Sequence, residues 1–427
     1  MNEHVPLLFE ALQARDTKLL KQLLCIHHVT SIFDINATFG EKQNSLIHHA
    51  CDTHFTDALR IILQFKKKEL QLNQENADGF TALQLACIHG NLQAVIILYN
   101  AGASLDYESE KLKKNALDIA IESNGHVINN NAATSSQSAT TNTTNPVSTS
   151  PIPLPLATNI TINNNNSTIA CLNQHSEIIQ FLMASSSTLK AKTTQLLLQT
   201  IKNGNTPAAI AMIEGGAAIN EEDKVDKKFP LYCAVELGQT DVVRALLRRG
   251  ALATSKYKKV EIVDFAVEKN FPEIVEILLC SGASFNSALY KAVKMGFAHV
   301  VKICLDLGAN VQEPNEVKKI LPLHAAAAWN RPEIVPQLLN AGADVNMVSE
   351  KTKFTSLHFA TKNNSVDVVK MLIQHGANVN ATNDHGDIPL HWASSNNNVE
   401  IVSLLVEAKS NVNAKASSGA HPLTLAA

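Results

Sequence analysis

Apolar residues recur along this chain in blocks with helical spacing. In Asp367-Val368-Val369-Lys370-Met371-Leu372-Ile373 and in Glu400-Ile401-Val402-Ser403-Leu404-Leu405 they stand three and four positions apart, which predicts amphipathic helices with one buried face. A shorter block rich in Ala and Leu precedes each of these, and a glycine follows. The pattern predicts pairs of antiparallel helices, each closed by a glycine in the left-handed conformation.

The pairs repeat. Their endings read Gly282-Ala283-Ser284-Phe285-Asn286, Gly308-Ala309-Asn310, Gly342-Ala343-Asp344-Val345-Asn346 and Gly376-Ala377-Asn378-Val379-Asn380, with looser copies at Gly102, Gly216 and Gly250. From Gly216 onward the glycines lie 34, 32, 26, 34 and 34 residues apart, so one period near 33 dominates. Before them stands a second element, clearest as Leu321-Pro322-Leu323-His324, Thr355-Ser356-Leu357-His358 and Ile388-Pro389-Leu390-His391. Its weaker forms are Ser45-Leu46-Ile47-His48, Thr81-Ala82-Leu83-Gln84 and Phe229-Pro230-Leu231-Tyr232. A hydroxyl or backbone group there caps the first helix, Pro fits its first turn without losing a needed N–H, and Leu enters the core.

This register predicts eleven pairs, starting near Pro6, Ser45, Thr81, Asn115, Gln195, Phe229, Glu261, Ser287, Leu321, Thr355 and Ile388. The first, fourth and fifth fit poorly. The eighth is short, because Asn286 leads almost directly into Ser287 and leaves no room for a projecting hairpin. A twelfth opens at His421 and stops, so either the native protein runs past residue 427 or the last helix is a makeshift cap; the former is favoured.

These two elements resemble the ankyrin repeat family, and the resemblance covers nearly the whole chain. It implies an all-α solenoid of helix-turn-helix pairs. It also implies that His48, His324, His358 and His391 are structural, each imidazole hydrogen-bonding a loop of its own or the adjacent repeat. Partners then lie along a concave face made by exposed first-helix residues and hairpin tips. The two positions after the small core residues face that groove, which puts Lys269, Met295, Trp329 and Asn363 in one row, with His89 further along. Trp329 is read as an interface anchor; a register error of one residue would bury it against the next repeat instead. Trp392 is assigned to packing between repeats. The hairpin tips carry mixed charge at Glu221 to Lys228 and Glu350 to Lys353, and basic charge at Lys256 to Lys259.

The fourth pair is interrupted. Between Glu122 and Glu177 there is no Asp, Glu, Lys or Arg, and the stretch is rich in Asn, Ser and Thr, with Pro151, Pro153 and Pro155. Such a composition cannot bury enough surface to fold. The predicted organisation is therefore 1–124 for repeats one to three and the first helix of four, 125–174 for a disordered insertion, and 175–427 for the remainder. Lengthening one turn to roughly 50 residues costs only about 3 kcal/mol, which neighbouring interfaces can bear.

Composition narrows the function. With 36 basic and 39 acidic residues the net charge is -3, too small to hold a polyanion by its field, so nucleic acid is not an expected partner. The N-terminus lacks a secretory pattern and no apolar run is long enough to span a membrane, so the chain is expected to be soluble and cytoplasmic. Seven cysteines without a Cys-x-x-Cys pair form neither a disulfide framework nor a zinc signature, and Cys51 and Cys87 read as small core residues. His48, His49 and His54 are assigned to capping and turn positions, not to a metal. Phosphate-binding loops, nucleophile elbows, zinc-protease and kinase motifs and dinucleotide fingerprints are absent.

The expected function is therefore non-enzymatic, without cofactor or metal: a monomeric module that holds a partner protein. One alternative is the targeting region of a longer enzyme whose catalytic domain lies beyond residue 427. A catalytic site lodged in the irregular repeats four and five is another. The Asn- and Lys-rich composition also resembles ankyrin effectors that intracellular bacteria deliver into host cells to act on a host protein, and amoebal proteins as well.

Overall fold

The computed structural model describes residues 4–30, 34–66, 70–125, 165–186, 188, 193–223, 225–315 and 319–426, with backbone alone for 4, 5, 26–30, 65, 66 and 165–172. The core of the expected insertion, including Pro151 to Pro155, lies outside the described residues.

Helices come in pairs. The first five are His4–Gln13 with Thr17–Thr30, Leu46–Asp52 with Thr56–Lys66, Ala82–Ile88 with Leu92–Ala101, residues 116–125 with Asn165–Ser185, and Thr193–Lys202 with Thr206–Glu214. Pair six is Pro230–Glu236 with Thr240–Arg248, and pair seven is Ile262–Glu268 with Pro272–Cys280. Pairs eight to eleven are Phe285–Met295 with Ala298–Asp306, Pro322–Ala328 with Val335–Asn340, Ser356–Lys362 with Val366–Gln374, and Pro389–Ser395 with Val399–Glu407. A single turn of helix, Pro422–Leu425, follows. The chain divides into two compact units, Met1–Cys233 and Ala234–Ala427, with the division inside Pro230–Glu236.

Within each unit first helices pack on first helices and second helices on second helices, so the core is a seam between two helical layers. In pair ten Leu357, Ala360, Val368, Val369 and Leu372 are fully buried in that seam. Each buried Leu or Val contributes about 1.5–3 kcal/mol. Cys51 and Cys87 occupy the same seam, and burial pushes the Cys51 thiol up to about 12, far from a reactive thiolate.

The Asn that ends each period clamps neighbouring repeats. Asn346 Nδ2 donates to the Gly376 carbonyl at 3.3 Å while its Oδ1 accepts from the Asn378 N–H at 2.7 Å. Asn380 repeats this with Lys409 and Asn411 at 3.4 and 2.7 Å. In the first unit Asn36 and Asn73 accept from Gln71 and Ser104 at 2.8 and 3.0 Å. Hairpins also touch side by side, through Ala77 N to Lys42 O at 2.8 Å and Ser417 N to His385 O at 2.9 Å.

Two helices begin earlier than their sequence pattern suggests. Asn165–Ser185 starts ten residues before His175, the residue from which the spacing predicts this helix. Phe285–Met295 starts two residues before Ser287, because the Ser284 hydroxyl accepts from the Ser287 N–H at 3.3 Å and caps the helix there. The motif-ending Asn286 is thereby drawn into a helix. The two-residue strands Lys256–Tyr257 and Val260–Glu261 give pair seven a small hairpin.

Candidate partner-binding face

The signature histidines tie each first helix to the loop that follows. In pair ten His358 Nδ1 accepts from the Thr355 N–H at 3.2 Å, and its Nε2–H donates to the Asp387 carbonyl at 3.1 Å. His48 accepts the Ser45 hydroxyl at 2.7 Å and donates to Phe80 O at 3.0 Å; His324 and His391 donate to Met347 O and Ala420 O at 2.9 and 3.3 Å. Each Nδ1 faces a backbone N–H donor and each Nε2 a carbonyl, an arrangement that places the ring proton on Nε2. Burial lowers His48 and His324 from 6.5 to about 4, and lowers His358 as well.

Other residue types do the same work. Gln84 accepts from the Thr81 N–H at 2.9 Å and donates to the Lys114 carbonyl at 2.9 Å, in place of the ring. Asp118 accepts from the Asn115 N–H at 3.1 Å, and Asp264 accepts the Ser287 hydroxyl at 2.7 Å. A search for histidine passes over both aspartates.

The five residues expected to face a partner occupy one register position. His89, Lys269, Met295, Trp329 and Asn363 each end a first helix, immediately before Gly90, Asn270, Gly296, Asn330 and Asn364, whose φ values are positive. That left-handed residue turns the chain away from the helix axis and leaves its predecessor on the rim. Lys269 and Asn363 are exposed, and Met295 is 40% exposed.

Trp329 is half-buried and neither free nor sunk against the following repeat. Its ring meets Tyr290 of the preceding pair edge-on at 5.7 Å, and the Lys294 ammonium lies 5.8 Å from its centroid. Trp392 packs against Phe354 at 5.6 Å, with the Lys362 ammonium 4.7 Å from its centroid. Its indole N–H is buried with no hydrogen-bond partner among the described residues, so ring packing alone holds it. Lys294 and Lys362, each one residue before a candidate, escape sequence reasoning because their aromatic partners lie about 30 residues away on the next pair.

In the first unit His89 Nε2 and Asp52 Oδ1 are 3.0 Å apart, and His54 meets the His89 ring edge-on at 5.0 Å. The His89 hydrogen bond holds the Asp52 carboxyl below its ordinary range, while burial and then the His89 charge lower His54. Arg15 reaches over Phe55 at 5.7 Å and donates to the Thr53 carbonyl at 2.8 Å. In the first unit these groups are paired internally.

Stacked helix pairs with a capping residue that bridges to the next loop define a helical repeat protein. The family model for ankyrin repeats matches residues 8–109, 167–257, 263–349 and 323–416, and the chain belongs to the ankyrin repeat family. Members of that family are general protein–protein interaction modules. Among curated relatives, BRCA1-associated RING domain protein 1 of Caenorhabditis elegans is 33% identical over 91 residues, 21% of this chain and 13% of that protein. A putative ankyrin repeat protein, R96, of Acanthamoeba polyphaga mimivirus is 27% identical over 119 residues, 27% of this chain and 11% of that one. The chain thus matches only about an eighth of the length of these relatives. Of solved structures, the human ASB11 ankyrin repeat domain (27% identity, TM-score 0.42) and the Bcl-3 ankyrin repeat domain (28% identity, TM-score 0.43) each cover 47% of this chain, at 92% and 95% of their own length. Among the described residues no helix is long and apolar enough to cross a membrane.

Proposed function

We propose that this chain holds a partner protein on its first-helix face and hairpin tips, without catalysis. In the second unit Lys269, Met295, Trp329 and Asn363 form the contact row, and in the first unit His89 supplies the equivalent position. The observation that carries this reading is the shared register of these residues. Each stands at a rim position that ends a first helix, and the row contains a half-buried Trp and an exposed Met, residue types that favour an interface centre. The chain works as a monomer in the cytoplasm. The Asn- and Lys-rich composition supports a version in which it is delivered into a host cell and acts on a host protein.

The test is site-specific photo-crosslinking. A crosslinker at Asn363 or Met295 captures the partner, and the same group at Glu276 on a second helix does not. Trp329→Ala then weakens the identified complex by more than about tenfold, in keeping with the loss of a buried aromatic anchor. Equal capture from both faces, with affinity unchanged in Trp329→Ala, sinks the assignment.

A further inference from the structure

Charge on the second unit is sorted by helix layer, a feature hidden by the net charge of -3. The first helices of pairs eight to eleven carry Lys291, Lys294 and Lys362 and no acidic residue. Their second helices carry Asp306, Asp367, Glu400 and Glu407 against Lys302 and Lys370. Lys291 is engaged by Glu268, and Lys370 by Glu400. Among the described residues Lys294 and Lys362 have no carboxylate partner. Each instead lies over the ring of the next pair, Lys294 on Trp329 and Lys362 on Trp392. Such a lysine is partly ordered in advance, with its charge unneutralised beside an apolar ring.

A second observation points the same way. Where a projecting hairpin is present, its turn takes a positive φ five residues before the signature position, and Gly79, Gly386 and Gly419 hold that place without strain in pairs three, eleven and twelve. In pairs nine and ten the place is taken by Lys319 and Lys353, at φ 55° and 53°, as it is by Lys113, Lys227 and Lys259 in pairs four, six and seven. Lys319 and Lys353 are exposed, and neither forms an ion pair among the described residues. Lys353 directly precedes Phe354 in the chain, and the Phe354 ring lies 5.4 Å from the Lys362 ammonium.

We propose that the first-helix face of pairs eight to eleven binds an extended, acidic protein segment in which carboxylates alternate with apolar side chains. The carboxylates pair with Lys294, Lys362, Lys319 and Lys353, and the apolar groups rest on Trp329 and Trp392. This rests on the partner-binding reading above and names the class of partner. A nucleic acid fits less well. Its phosphates favour the planar fork of arginine, which these four first helices lack, and the acidic second-helix layer repels a long polyanion.

The experiment selects a random displayed peptide library against the full chain and against the triple variant Lys294→Gln, Lys362→Gln, Lys353→Gly. These positions are exposed and the last change relieves backbone strain, so the variant folds. Expected are sequences enriched in Asp and Glu interleaved with apolar residues. Their affinity falls at least about tenfold in the variant, weakens with added salt, and is lost when their acids are replaced by amides. Selection without acidic enrichment overturns the proposal. Equal binding by the variant does so too, as does a single-stranded oligonucleotide that binds more tightly than the selected peptides. If Trp329→Ala abolishes binding of selected neutral peptides while the lysine variant leaves it intact, the partner-binding face stands and the acidic segment alone is wrong.

Discussion

At the ends of the first helices, the two units treat the same register differently. In the first unit His89 pairs with Asp52 and packs on His54, and Arg15 lies over Phe55 and reaches Thr53. In the second unit the same positions hold Lys269, Met295, Trp329 and Asn363, with Lys294 and Lys362 over aromatic rings and without a carboxylate among the described residues. The scaffold is shared down to the bridging groups of His48, Gln84 and His358. What separates the units is which polar groups at these positions have a charged partner, and the proposed recognition draws on those that have none among the described residues.

The largest expected effect tests what the units share. His48 in the first and His324 in the second have folded values near 4, below the ordinary 6.5, so the unfolded chain takes up protons first as pH falls. Their contribution is complete above about pH 6.5, declines as pH drops and levels off near 4, with up to about 3 kcal/mol lost per histidine. Hydrogen exchange followed by mass spectrometry between pH 7 and pH 4 reads this locally. Protection that holds steady around Phe80 and Met347 would falsify the neutral-ring account.

Next comes the bridge itself. His358→Ala leaves the buried Thr355 N–H without its partner and removes one of the two donors to the Asp387 carbonyl, which keeps the Asn383 N–H, and is expected to cost about 1–2 kcal/mol. His358→Gln costs about half as much, because Gln84 makes the same two bonds in the first unit. Urea denaturation ranks the two variants, and equal losses would mean that the ring contributes by packing alone.

Smaller changes then sharpen the difference between the units. Lys353→Gly removes a lysine from the left-handed region and is expected to stabilise the second unit by about 1 kcal/mol, the strain relieved less the entropy glycine adds to the unfolded chain. A rise in thermal midpoint shows it; a fall shows that the side chain has a structural partner. Smallest is Asp52→Asn, which breaks a partly exposed contact to His89 and costs about 0.5 kcal/mol. A loss several times larger in thermal unfolding would show that the Asp52, His89 and His54 cluster holds the first unit together and is not merely a settled surface.

The sequence by itself determined the architecture. A repeat buries its apolar face only against its neighbours, so the spacing in Val368, Val369 and Leu372, and the glycines of positive φ at 342 and 376, suffice to define helix pairs and where they end. The roles of His48, His324, His358 and His391 came from the family resemblance and not from the spacing; their bonds stay within a capping turn and the loop that follows. Where Asn165–Ser185 and Phe285–Met295 begin was less so, because a cap such as Ser284 overrides the hydrophobic pattern locally. The placing of Trp329 on Tyr290, of Lys294 on Trp329 and of Lys362 on Trp392 was decided only by tertiary structure. These contacts join residues 30 to 39 positions apart across the face of a stack, where no periodicity tells a side chain which neighbour it meets. Pairing at the rim depends on the stagger between adjacent helices, and that is set by the packing of the whole seam.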